Sequence, residues 1–254
     1  MRYSLCMFAF LLQADHARSE ATDVTVRVIA RNGMYVGDLV HGAFVSITDA
    51  ASGEMLAQGV TAGGAGNPKR LMKTARNRTE PLAAEGDAKF SATLDLDEPR
   101  LLQATAFGPL SQSNSANKAS ATQWVVPGKH LTGGDGWVLE LPGLMVTPNL
   151  DASTVPLSRA VNGINIEAEV TLMCGCPIKP GSHWDPLDYE VVAIVRRAEK
   201  AVGQYAFRYA GIDSEFETEI KLQLPGIYDI VVYAYDAASG NTGVGRIELT
   251  VAGE

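Results

Sequence analysis

The sequence predicts an all-β protein built as two β-sandwich domains in tandem, and three observations carry that expectation. Short apolar–polar alternating segments recur along nearly the whole chain, each broken by Gly, Pro, Asn or Asp. No segment shows a sustained apolar run at i, i+3, i+4, i+7; the best helix candidate, Leu71 to Arg78, is short and weakly amphipathic. The chain is 254 residues long, which suits two domains of ordinary size, and 46% of it is hydrophobic, enough for packed cores.

The elements follow in order. Val24, Val26 and Val28 alternate with Thr25 and Arg27, the period of a half-buried strand. Ala43 to Ile47 reads as a second strand, Asp49-Ala50-Ala51-Ser52-Gly53 as a turn, and Met55 to Val60 as the return. Further strands are expected where Phe90, Ala92, Leu94 and Leu96 alternate, at Leu102, Ala104 and Ala106, and at Trp137, Leu139 and Leu141. Loops 62–87 and 108–118 interrupt this series. The first is rich in Gly, Lys and Arg, and its basic residues Lys69, Arg70, Lys73, Arg76 and Arg78 make either a solvated loop or a docking loop for an acidic partner. Pro148-Asn149-Leu150-Asp151-Ala152-Ser153 breaks the alternation and sets the expected boundary, giving domains of 22–150 and 157–254.

The N-terminus reads as a signal peptide over 1–21. Arg2 is basic, Tyr3 to Leu12 is apolar, and Ser19-Glu20-Ala21 offers a cleavage site, so the mature chain is expected to start near Thr22 in a periplasmic or extracellular compartment. No apolar run approaches the roughly 20 residues that span a bilayer. The net charge of −8 argues against non-specific binding to nucleic acid or anionic lipid, so neither is expected as a partner.

The residues Gly42-Ala43-Phe44-Val45-Ser46-Ile47-Thr48-Asp49 and Ser52-Gly53-Glu54-Met55-Leu56-Ala57-Gln58-Gly59-Val60-Thr61 give the first half a resemblance to transthyretin-like and carboxypeptidase-regulatory-like domains. That resemblance implies a β-sandwich and no particular activity. In the second half, Gly226-Ile227-Tyr228-Asp229-Ile230-Val231-Val232-Tyr233-Ala234-Tyr235-Asp236 followed by Ser239-Gly240-Asn241-Thr242-Gly243 resembles the closing strands of bacterial immunoglobulin-like domains. The resemblance implies that Tyr228 packs as a corner residue.

One stretch carries chemistry. Ile164, Ile166, Ala168, Val170 and Leu172 form an apolar strand face, and continuing that face brings Cys174 and then Cys176 to the same side. The chain holds three cysteines, and the other, Cys6, lies in the expected leader. Two thiolates at a strand end, with His183 returning across a Pro-Gly turn and Met173 as an outer candidate, make a soft-metal site for copper, with zinc a further candidate. The same pair can instead form a Cys-x-Cys disulfide or remain as inert buried thiols. Asp185 either orients the His183 ring or opens a turn before Pro186; Trp184 is expected to pack the sandwich end. His41 and His130 are expected to be structural, and Asp95, Asp97, Glu98, Asp236 and Asn241 to serve turns rather than bind Ca²⁺.

No nucleophile elbow, phosphate loop, dinucleotide fingerprint or His-Glu-x-x-His pattern occurs. The leading functional expectation is a secreted copper-binding carrier or accessory protein, with a periplasmic metalloenzyme or surface protein as partner. The alternative is a structural or adhesive surface module that carries a Cys-x-Cys disulfide and binds a protein or glycan. An enzyme with a mononuclear metal centre ranks last, because no general base lies near the cysteines.

Overall fold

A computed structural model describes residues 19–253 apart from 76 and 78. The expected leader therefore lies outside the described residues, except for its last residues. Glu20 and Ala21 already belong to the first strand, β1 (Glu20–Ala30), paired with Leu96 and Asp95.

In the first sandwich, β1 lies between β4 (Phe90–Leu96), antiparallel, and β7 (Trp137–Leu141), parallel. The second sheet runs β3 (Met55–Val60), β2 (Phe44–Asp49), β5 (Arg100–Gly108), β6 (Asn117–Val125), all antiparallel. The alternation in sequence is the reason for the layering. Val24, Val26 and Val28 are fully buried, as are Val45, Ile47, Leu102, Ala104 and Ala106 from the facing sheet. Each such Val, Leu or Ile contributes roughly 1.5–3 kcal/mol relative to exposure. The turn after β2 forms because Asp49 accepts the backbone N–H groups of Ala51 and Ser52 on its side chain.

The helix in the first long loop is α1 (Pro68–Met72), earlier and shorter than the sequence suggests. Asn67 caps it by accepting the Arg70 N–H, Pro68 occupies its first turn, and it buries no residue fully, so nothing propagates it towards Arg78. Arg70 closes the loop by donating to the carbonyls of Pro81 and Ala83. Arg27 pins the far end through Asp87 and Ala88 carbonyls and lies over the Tyr35 ring. Burial, with a further contribution from Asp135, pushes the Tyr35 phenol up to about 12.

The second sandwich has one sheet of β13 (Arg208–Tyr209), β14 (Glu215–Ile220), β10 (Ile164–Leu172) and β8 (Leu144–Leu150). The other runs β12 (Lys200–Ala206), β11 (Tyr189–Arg197), β15 (Gly226–Asp236), β16 (Asn241–Ala252), β9 (Thr154–Pro156), with a short helix α2 (Leu157–Asn162) between β9 and β10. The chain passes from one sandwich to the other at Pro142-Gly143, not at 148–156. β8 pairs with β10 throughout, and Pro148 opposes Ala168. A proline is tolerated there because β8 is the edge of its sheet and needs no donor on its outer side. Pro148 thus breaks the sequence pattern without breaking the strand.

Gly243 and Gly245 let β16 approach β8 closely: an added Cβ would lie 2.2 Å from the Leu144 carbonyl oxygen or 2.4 Å from that of Val146. Tyr228 donates its hydroxyl to the Leu224 carbonyl at 2.7 Å, a tyrosine bond back to the preceding loop. Glutamates Glu167 and Glu169 of β10 face Glu217 and Glu215 of β14 on the solvent side.

Candidate functional site: a cleft at the junction of the sandwiches

The Cys-x-Cys segment lies at the junction. β10 ends at Leu172 rather than running through to Cys176. Gly175 adopts φ 75° and donates to the Leu172 carbonyl, and the Leu172 N–H returns to the Cys176 carbonyl. The sulfurs are brought side by side by this turn, not by strand alternation. Cys174 and Cys176 are joined in a disulfide, and both are buried. Bonded sulfurs are not thiolates, so the pair in this form does not present the two thiolate ligands expected for copper or zinc.

Met173 is also no neighbour of the cleft: its Cε approaches the Gly143 backbone so closely that an added Cβ there would lie 2.2 Å from it. Among the described residues, no group of three or more His, Cys, Asp and Glu side chains could hold a metal ion.

Two segments of the first sandwich pack against the turn. The bend after β1 places Gly33 so close to the second sandwich that a Cβ would lie 3.1 Å from Leu172 Cδ2 and 3.2 Å from Cys174 Sγ. The Met34 N–H points at Cys174 Sγ from 3.5 Å. Leu39 and Val40 cover Gly175, where a Cβ would meet Val40 Cγ1 at 2.7 Å. From the other side, Trp184 donates its indole N–H to the Asn32 carbonyl at 2.7 Å.

The loop bearing His183 and Trp184 is held by its own polar groups. Lys179 N–H donates to the Trp184 carbonyl, and Ser182 Oγ both donates to that carbonyl and accepts the Trp184 N–H. Asp185 accepts the Gly181 N–H at 2.8 Å and the Leu187 N–H at 3.1 Å, and these bonds, Gly181 first, hold its carboxyl below the usual range. Asp185 therefore opens a turn and shapes the loop.

Between these walls lies a cavity of about 720 Å³. Met34 and Leu39 line it from the first sandwich, Asn67, Pro68, Lys69 and Lys73 from α1 and its end, and Cys176, Pro177, Lys179, His183 and Trp184 from the second. Cys176 and His183 thus share a wall. His183 Nε2 is buried and has no hydrogen-bond partner.

A polar contact set lies beside the cleft. Asn241, 1% exposed, donates to the Arg31 carbonyl at 2.9 Å and accepts the Gly143 N–H at 3.0 Å, and Asn32 donates to Asp236 at 3.1 Å. Asp236 and Asn241 therefore hold the junction. His41 ends a short 3-10 turn in the left-handed conformation, and His130 Nδ1 accepts the Asp23 N–H, so neither reaches the disulfide. Asp97 and Glu54 pair with Arg100. Met34, Leu39 and Lys179 escape sequence reasoning because nothing in their local pattern marks them; Arg76 and Arg78 of the basic cluster lie outside the described residues.

No family model matches the chain. No curated protein matches it either. Among solved structures, the chain is similar to the fibronectin(III)-like modules of Clostridium thermocellum CbhA, at 12% identity over 91% of both chains, with a TM-score of 0.30. It is also similar to a tandem pair of titin immunoglobulin domains, at 10% identity over 94% of this chain and 97% of that one, with a TM-score of 0.24. The tandem β-sandwich is established by the strand pairing itself.

Proposed function

We propose that the protein is a binding module of the structural or adhesive kind, in which two sandwiches form a frame and the junction cleft takes the ligand. The observation that carries this reading is the cavity of about 720 Å³ walled by Met34, Leu39, Pro68, Pro177 and Trp184. Its size and largely apolar walls match small-molecule and side-chain binding sites. The disulfide supports a periplasmic or extracellular location, where such bonds persist.

Titration with the neutral apolar dye N-phenyl-1-naphthylamine tests the reading. One saturable site is expected in the native protein, and Leu39→Asp, at a position 67% exposed, should abolish it without unfolding the chain. No saturable binding, or binding unchanged in Leu39→Asp, overturns it.

A soft-metal role is the second reading, and the shared wall of Cys176 and His183 favours it. It requires a dithiol reductant, which takes up the bond as its own disulfide and leaves two thiols on the protein. Cu(I) uptake before and after reduction tests it: the untreated protein should take up no more than a Cys174→Ser/Cys176→Ser variant. Equal content in the reduced protein and that variant overturns the metal role.

A further inference from the structure

We propose that the cleft selects an amphipathic carboxylate, a free aliphatic acid whose chain lies between Leu39, Met34 and Trp184 and whose carboxylate lies among Lys69, Lys73 and Lys179. The inference rests on the reading that the cleft binds an apolar ligand and adds the charge that ligand must carry.

The charge distribution is the argument. The chain has a net charge of −8, yet the cleft lining contains three lysines and no Asp or Glu. Among the described residues, none of these lysines forms an ion pair with a carboxylate. Their stems extend the apolar wall while their ammonium groups stay hydrated at its edge, the arrangement expected of long cationic side chains on apolar surface. An anion arriving there meets positive charge that no carboxylate of the described residues pairs with. A cation is repelled, and a neutral chain gains only the apolar contact.

An alkyl carboxylate satisfies the apolar wall and the lysines together.

Displacement of N-phenyl-1-naphthylamine by decanoate, decan-1-ol and decyltrimethylammonium, each below its micelle-forming concentration, tests the proposal. Decanoate should displace the dye at about one-tenth the concentration of decan-1-ol, the effect of one charge-assisted hydrogen bond. Decyltrimethylammonium should be weaker than both. In a Lys69→Met/Lys73→Met variant the ratio of decan-1-ol to decanoate displacing concentrations should fall towards one, whatever the variant's own dye affinity. Without dye, the protein should not co-sediment with vesicles of phosphatidylglycerol. Equal displacement by acid and alcohol, a preference surviving in the variant, or co-sedimentation with vesicles while decanoate fails to displace the dye overturns the carboxylate inference and leaves the cleft a binding site. Failure of the native protein to bind the dye removes the binding reading with it.

Discussion

The junction between the sandwiches has two halves that join in different ways. Around Asn241 the contact is polar, buried and directional: one amide side chain satisfies a carbonyl of the bend after β1 and an N–H of the Pro142-Gly143 crossing. Around the disulfide it is mostly apolar: Gly33 against Leu172 and Cys174, Leu39 and Val40 against Gly175. Hydrogen bonds demand distance and angle, so the first half sets how the sandwiches meet. Apolar contact is non-directional and tolerates gaps, so the second half leaves the cleft. A site at a domain junction thus needs one set of contacts to fix the geometry and another that packs without closing.

The largest test of this contrast is Asn241→Ala. It strands the Arg31 carbonyl and the Gly143 N–H, at about 1–3 kcal/mol each, so urea unfolding should show a loss of about 2–6 kcal/mol. Dye affinity should fall as well, because the walls lose their relative position. Unchanged stability would show that the apolar half alone orients the sandwiches.

Gly175→Ala probes the apolar half. It forces a Cβ onto a backbone at φ 75° and against Val40, and the left-handed strain costs about 1–3 kcal/mol. Its signature should be a change in dye binding with the Asn241 contacts intact, read by amide hydrogen exchange at Gly143.

Trp184→Phe keeps a ring in the cleft wall but removes the bond to Asn32 and part of the buried ring surface, so a loss of at least about 1 kcal/mol is expected in thermal or urea unfolding. A smaller loss would place Trp184 among the packing contacts only.

The smallest effect is one of pH. The Asp185 carboxyl is held below its ordinary range by Gly181 and Leu187 N–H groups, so it stabilises the loop fully above the unfolded value and loses that contribution as pH falls through the lower folded value. Trp184 emission should therefore shift as pH falls below about 4, before global unfolding. Asp185→Asn should show no such step.

Much of the scaffold was legible because alternation reports burial directly. Val24, Val26, Val28, Ile164, Ile166, Ala168 and Val170 are all buried as their period predicts. Tyr228 is buried and donates its hydroxyl to the Leu224 carbonyl. Pro148 misled because a proline signals a break, and only strand order shows that β8 is an edge. The cysteine pair was legible as a site of interest but not as a bond, since a strand continued past Leu172 and a turn at Gly175 both bring the sulfurs to one side. The cleft could not be read at all: Leu39, Lys73 and His183 are distant in sequence and meet only because the crossing at Pro142-Gly143 sets one sandwich against the other.

The sequence by itself determined the all-β layering, the tandem arrangement and the segment where sulfur chemistry sits, because these follow from local periodicity and spacing. Tertiary structure alone decided the sulfur–sulfur bond, the polar clasp at Asn241 and the lysine-edged cleft. Each of these depends on groups far apart in the chain being brought within contact, which no local pattern encodes.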